Sequence, residues 1–197
     1  ISSTNSSITG VNLSTVLGTF SAGVGSAITN ATNADFNINA GSANVTYNGT
    51  ITDDVGQLVS ITGQTGTSTK SFTGAITDND NGTGSGISLT GNSAGTTITF
   101  SGGVVLSTGA NAAFTATGGG VVNVIDPVSG ANKVTTTTAT AVNIAGGTTI
   151  GASGVTFESI NVDGNDALPT NAIVLNNTGS GPFVVTGTGA GFSGGTI

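Results

Sequence analysis

Two aspartates near the middle of the chain have the types and spacing that could hold a cation. The stretch DNDNGTGSG begins at Asp78, places Asp80 two residues later and reaches a glycine at Gly82. Carboxylate and carbonyl oxygens are the ligands that Ca²⁺ prefers, and glycine permits the tight bend of such a loop. A complete EF-type loop also needs an acid at its twelfth position, which is Leu89 here. Asp and Asn also form simple turns by bonding their own backbone, so both interpretations stay open.

A repeated tripeptide strengthens the cation hypothesis. ITD ends at Asp53 and again at Asp78, 25 residues later. If that distance is one structural repeat, the two carboxylates stack, and they repel unless they are protonated, separated or bridged by a cation. The sequence therefore predicts Asp53, Asp78 and Asp80 as calcium candidates, with no cofactor required. Asp163 and Asp166 in VDGNDALP are weaker candidates, because Asp-Gly is more simply a turn.

The chain has few of the residue types that catalysis commonly uses. The chain has no histidine and no cysteine, which excludes the commonest acid-base pairs, triads and thiol chemistry. Polysaccharide cleavage would need a basic residue beside carboxylates, but Lys70 and Lys133 fall in different repeats. Glycoside hydrolysis would need two carboxylates about 5 to 9 Å apart, one of them with a raised pKa, and no pattern indicates burial of Asp53 or Asp78. We expect no enzyme.

Composition points to an all-β chain. Glycine supplies 34 of 197 residues and charged residues only 6%, against roughly 25% in average domains. The 36% of hydrophobic residues are mostly Val, Ile and Phe among many threonines, which favours strands over helices. A net charge of −7 argues against nucleic acid as a partner, and no run of 18 apolar residues could span a membrane.

Short alternating strands recur along the chain at intervals of 23 to 31 residues. In most units a second strand follows the anchor about 9 to 15 residues later, and a third short piece often closes the unit. This pattern predicts a right-handed parallel β-helix, or β-solenoid, of about seven coils over one domain, residues 1–197. The alternative is a pair of β-sandwich domains. The scarcity of large aromatic residues, with one tyrosine and no tryptophan, argues against it. The anchors are VNLS, FNIN, VSIT, ISLT, FTAT, VNIA and IVLN, beginning at Val11, Phe36, Val59, Ile87, Phe114, Val142 and Ile173.

Alternation within the anchors also predicts the core. The first and third residue of each anchor should point inward, since side chains of a strand alternate between its two faces. The predicted inward pairs are Val11/Leu13, Phe36/Ile38, Val59/Ile61, Ile87/Leu89, Phe114/Ala116, Val142/Ile144 and Ile173/Leu175.

Two stretches carry a family resemblance: GISLTGNSAGTTITFSGGVVLSTGANAAFTATGGG from Gly86, and TTIGASGVTFESINVDG from Thr148 with NAIVLNNTGSGPFVVTGTG after it. They resemble repeats of very long bacterial secreted and surface proteins, such as autotransporter passengers and filamentous-haemagglutinin-type adhesins. The resemblance implies a right-handed β-helical stalk outside a bacterial cell and carries over no catalytic residue. Coil lengths here vary more than in haemagglutinin-type helices.

The end sequences and lateral faces suggest what the chain does. Neither ISSTNSSITG nor GFSGGTI contains a charged or helical cap, so we expect copies of the chain or neighbouring repeats to stack head to tail on both ends. The predicted role is a structural filament, fibre or surface stalk, with this chain one segment of a longer array. The alternative is an adhesin that binds glycans laterally, for which Tyr47 and Phe192 are the candidate exposed aromatics. A threonine face that binds ice would need threonines at the same position of every coil. Runs such as TTTTAT fall at different positions.

Overall fold

The chain folds as a β-solenoid. A computed structural model describes residues 1–78, 84–128, 131–163, 169–191 and 193–195. All regular elements in these ranges are strands, numbered β1 to β21 in chain order, and they form three parallel seven-stranded sheets. The chain visits the sheets in turn, so each strand pairs with the strands one coil before and after it. The predicted all-β solenoid of about seven coils is confirmed, and the β-sandwich alternative is wrong.

The strand bounds show how regularly the three sheets alternate. The first sheet contains β1 (Ser2–Thr4), β4 (Ala27–Thr29), β7 (Thr50–Thr52), β10 (Ile76–Thr77), β13 (Val104–Ser107), β16 (Lys133–Thr136) and β19 (Ser159–Val162). The second contains β2 (Thr9–Val16), β5 (Ala34–Gly41), β8 (Gln57–Thr62), β11 (Ser85–Thr90), β14 (Phe114–Thr117), β17 (Val142–Ala145) and β20 (Ile173–Leu175). The third contains β3 (Thr19–Ala22), β6 (Asn44–Tyr47), β9 (Ser68–Phe72), β12 (Thr96–Phe100), β15 (Val121–Val124), β18 (Thr149–Phe157) and β21 (Phe183–Val185).

The predicted repeat matches the register of the second sheet. The seven anchor residues lie opposite one another from coil to coil, so the unequal spacings are absorbed in the turns and not in the strands. The pairs run in order through Val11, Phe36, Val59, Ile87, Phe114, Val142 and Ile173.

The core lies between the three sheets and follows the predicted alternation. The inward pairs of the five middle anchors are all buried, while Val11, Leu13 and Ile173 are half-buried and Leu175 is exposed. These four residues belong to the end coils, which have a neighbouring coil on one side only. Burial of the core therefore depends on stacking, as expected when a single coil cannot cover its own apolar face.

A column of aromatic rings runs through the core. Neighbouring ring centroids are 5.0 to 6.3 Å apart, and most pairs meet edge to face, which is a favoured arrangement for aromatic pairs. The column ends at half-buried rings on both sides. Its members are Phe20, Phe36, Tyr47, Phe72, Phe100, Phe114, Phe157 and Phe183.

Glycine is required where coils touch at the turn between the third and first sheets. A Cβ atom on Gly74 would collide with the carbonyl oxygen of Gly49 in the preceding coil, and one on Gly49 would collide with that of Ser26. Side chains are excluded there because the backbones of successive coils lie in direct contact. Part of the high glycine content is thus a packing requirement of the solenoid.

Candidate functional site

A ladder of Asn and Asp residues follows the first sheet at the turn toward the second. Thr4, Thr29, Thr52 and Thr77 pair in register, and the residue after each is Asn5, Asn30, Asp53 and Asp78, respectively. The N–H of Asp53 donates to Thr77 O at 3.1 Å, so the ladder is joined from coil to coil. The repeated ITD tripeptides therefore occupy equivalent positions in adjacent coils. Asp80 lies outside the described residues.

Asp53 is a buried turn-forming residue. It is only 1% exposed, and its carboxylate accepts hydrogen bonds from Val55 N at 2.9 Å and Gly56 N at 2.8 Å. Burial raises the pKa of this carboxyl, and the backbone hydrogen bonds oppose the rise. Asp78 is buried to the same extent. No sequence pattern indicated this burial, which arises because both aspartates follow strands that pair with a neighbouring coil on each side.

Asp35 is a third buried aspartate, which the sequence did not single out. It is 0% exposed, Ala31 N donates to its Oδ1 at 3.0 Å, and its Oδ2 has no hydrogen-bond partner. Burial raises the pKa of Asp35 to about 7, with the Ala31 hydrogen bond opposing the rise and the Asp53 charge adding to it. The charge of Asp35 also helps burial raise the pKa of Tyr47 to about 12. We call Asp35, Asp53 and Asp78 the acidic corner.

The strand register explains why sequence alternation does not identify Asp35 as a buried residue. It lies between Ala34, which pairs with Gln57, and Phe36, which pairs with Val59, and is therefore equivalent to the buried Leu58. Simple alternation would place Asp35 on the outer face, because Phe36 and Ile38 point inward. The start of the strand is covered by the turn before it, and alternation contains no information about that turn.

The two lysines do not neutralise the acidic corner. Lys70 is 1% exposed, and its Nζ donates to Ala43 O at 2.6 Å and to Ser68 Oγ at 2.7 Å. Burial lowers the pKa of Lys70 to about 8. The exposed Lys133 forms an ion pair with Glu158, 3.4 Å from Nζ to Oε2. In the described ranges, no group of three or more His, Cys, Asp or Glu side chains is arranged to hold a metal ion.

The two end coils form the second candidate site. Seven of the nine exposed large hydrophobic residues in the described ranges belong to the first or the last coil. In the first coil, Leu17 is 72% exposed in the turn between β2 and β3, and Val24 is 84% exposed in the turn between β3 and β4. We define the first end face by β1, β2 and β3, where Leu13 and Phe20 are half-buried. On the last end face, defined by β20 and β21, the exposed residues are Leu175, Val184 and Val185. Each strand of these faces pairs on one side only.

Of the two predicted exposed aromatics, Tyr47 lies within the described residues. Tyr47 is fully buried and its hydroxyl donates to Thr50 O at 3.1 Å, so its assignment to an exposed ligand groove is wrong. Its position in the third sheet points into the core, where it contacts Phe36. Phe192 lies outside the described residues. The outer face of the second sheet carries hydroxyl ladders instead, with Thr62 and Thr90 Oγ1 atoms 3.2 Å apart.

Comparisons with known proteins give no relative. The chain matches no protein-family model, no curated protein and no solved structure. Within the described ranges, no helix has the length and apolar character needed to cross a membrane.

Proposed function

We propose that this chain is a structural module of the bacterial cell exterior that stacks end to end with copies of itself, forming a filament, fibre or surface stalk. One observation carries the proposal: in the described ranges, exposed apolar side chains concentrate in the two end coils, whose strands also have unpaired edges. Stacking of another coil would bury these side chains and continue the core, which is how each internal coil is stabilised.

The sequences of the two ends also lack the charged side chains that commonly prevent such contacts. Natural edge strands are commonly protected by charged residues that oppose pairing with another chain. Residues 1–34 and 167–197 contain no charged side chain, whereas all eleven Lys, Asp and Glu residues lie between them. Stacking would therefore desolvate no charged side chain and bring no like charges together.

The geometry of the two faces favours head-to-tail assembly. The first end face presents β2 and β3, and the last presents β20 and β21, which belong to the same second and third sheets. A copy added in the same direction extends both parallel sheets and brings the half-buried rings of Phe20 and Phe183 to one junction. Such a contact joins two different surfaces and does not close on itself, so repetition produces a filament.

The proposed location draws on composition and resemblance. The absence of cysteine and the solvation of the surface by hydroxyls and amides, with few charges, are typical of the bacterial surface repeats that the sequence resembles. Antibody labelling of intact, unpermeabilised source cells tests the location. Labelling only after permeabilisation would refute it.

Electron microscopy and sedimentation of the purified chain test assembly. We expect continuous fibres that lengthen with protein concentration. Leu13→Asp and Val185→Asp each place a charge on one end face, because these side chains align with the buried Ile38 and Phe157 of the next coil but have no coil beyond them. Both variants should leave short rods, with circular dichroism showing that the sheets persist. Val128→Asp is the control, because Val128 is exposed but lies in a lateral turn between β15 and β16, and it should assemble normally. Monomeric wild-type rods at all concentrations, or equal effects of all three substitutions, would refute the proposal.

A further inference from the structure

A segment after β21 returns to the first sheet and pairs with its last strand. Thr186 N donates to Phe157 O at 2.9 Å, which continues the third sheet into the turn that follows β21. Ile160 N, in β19, then donates to Gly194 O at 3.0 Å. Because β16 pairs with the other side of β19, residues 193–195 lie along the edge of β19 that faces out of the column.

This contact repeats the bond that joins successive coils in the first sheet. Ile51 N donates to Ala75 O of the following coil at 3.0 Å. The bond from Ile160 N to Gly194 O has the same length and also runs from one coil to the chain that follows it. Residues 193–195 therefore occupy the place that the first-sheet strand of an eighth coil would take.

The segment packs closely on the last coil. A Cβ atom on Gly195 would collide with Ile160 O, and the φ of Gly195 is 117°, a conformation that favours glycine. A Cβ atom on Gly194 would lie 3.4 Å from Val185 Cγ1, on the last end face. The two glycines thus let the backbone of the segment lie directly against β19 and β21.

One hydroxyl group fixes the shape of the segment. Ser193 Oγ accepts a hydrogen bond from Thr188 N at 2.9 Å and donates to Ala190 O at 2.6 Å. Ser193 N also donates to Ala190 O at 3.3 Å. Serine commonly stabilises turns through such local bonds to the backbone. The segment is therefore ordered by its own hydrogen bonds as well as by its pairing with β19.

A stacked copy of the chain needs the same edge of β19. When the copy is added in the same direction, its β1, β2 and β3 follow β19, β20 and β21, because each strand pairs with its equivalent one coil away. The incoming β1 meets residues 193–195 on β19. Two segments cannot pair with one strand edge at the same time, since each backbone N–H and C=O group on that edge is used once.

We propose that residues 193–195 form an edge cap, which competes with β1 of the next copy for β19 and must leave before the first sheet can continue across the junction. This inference rests on the proposed end-to-end assembly and adds a competing contact to it. Covering an exposed strand edge with a loop of the same chain is one way in which proteins prevent pairing with other chains. The edge cap therefore raises the protein concentration at which filaments form.

Two variants release the edge cap and leave the strands of both end faces unchanged. Gly195→Ala should push the segment off β19, and Ser193→Ala removes the two hydrogen bonds of its hydroxyl group. Each should form filaments at about fivefold lower protein concentration than the wild type, which corresponds to about 1 kcal/mol, the net contribution of one hydrogen bond. Gly191→Ala is the matched control, because no atom lies within 4 Å of its added Cβ, and it should assemble as the wild type does.

Sedimentation across a concentration series measures filament formation, and hydrogen exchange of the Ile160 amide in the monomer measures the edge cap directly. The amide should be protected in the wild type and in Gly191→Ala, and should exchange faster in Gly195→Ala. An unprotected Ile160 amide in the wild type would overturn the proposal.

The assembly data separate the edge cap from the assembly itself. Filaments that form at the same concentration in the wild type, Gly195→Ala and Ser193→Ala would overturn the edge cap alone. A higher concentration for Gly195→Ala would also overturn it, since the segment would then belong to the junction. The absence of filaments from all of these chains would refute the end-to-end assembly on which the inference rests.

Discussion

Phe72 stacks on Phe100 in the next coil, with ring centroids 5.2 Å apart and an interplanar angle of 21°. The two residues pair directly between β9 and β12, and both are buried. Phe100 also contacts Phe114, so it connects the lower and upper halves of the aromatic column. The stability of the solenoid should therefore be most sensitive to substitutions in the middle of this column.

Phe100→Ala should lower the free energy of unfolding by about 3 to 5 kcal/mol, because it removes a fully buried ring and leaves a cavity. Chemical denaturation followed by circular dichroism measures the loss. Phe183→Ala is the control, since Phe183 is half-buried at the end of the same column and should cost clearly less. Equal losses would contradict a central role for the buried stack.

Gly74→Ala tests the direct contact of coil backbones at the turn between the third and first sheets. The added methyl group would collide with Gly49 O, so we expect destabilisation of about 1 to 3 kcal/mol, typical of overpacking. Gly23→Ala is the matched control, because no atom lies within 4 Å of its added Cβ. Thermal melts of both variants measure the difference, and a neutral Gly74→Ala would show that the coils can separate there.

The repeat was predictable because the second sheet obeys two simple rules at once. Its anchors alternate with period two and recur once per coil, so Val59, Ile87 and Phe114 could be aligned from the sequence. The strand β3 has a weaker pattern, because Ala22 is small where the next two coils have Tyr47 and Phe72. The strand β16 overlaps the run TTTTAT, which obscures the inward alternation of Val134 and Thr136 in the sequence.

The β-bulge in β18 and the burial of the acidic corner depend on tertiary contacts, which the periodicity of the sequence does not encode. The register of β18 shifts, because Val122 pairs with Ile150 but Val124 pairs with Val155. β18 therefore contains extra residues, and the alternation of the sequence shows this insertion only as the start of a second strand. The ITD repeat correctly placed Asp53 and Asp78 in adjacent coils. Burial of Asp35 comes from the packing of one turn on another, which is a tertiary effect without a signal in the surrounding strand.

Lys70 should make stability rise with pH in the alkaline range. Its pKa is about 8 in the folded chain against 10.5 in the unfolded chain, so the unfolded state binds more protons between these values. The charged ammonium that is buried at neutral pH is lost as pH rises, which removes its desolvation penalty. Urea midpoints across this range measure the gain, and Lys70→Met should remove it. An identical alkaline profile in wild type and Lys70→Met would contradict the burial of a titrating amine.

Asp35 should act in the opposite direction in the acid range when divalent cations are removed by chelator. Its pKa is about 7 in the folded chain against 3.8 in the unfolded chain, so the folded state binds more protons between these values. The contribution of Asp35 to stability is therefore greatest at low pH and falls as pH rises toward 7, and the raised pKa of Asp53 contributes with the same sign. Asp35→Asn should flatten this decline and be more stable than wild type near neutral pH in chelator. Denaturation midpoints of both chains across the acid range measure the effect. Asp163→Asn should follow the wild-type profile, and a decline that Asp35→Asn leaves unchanged would assign the titration to another group.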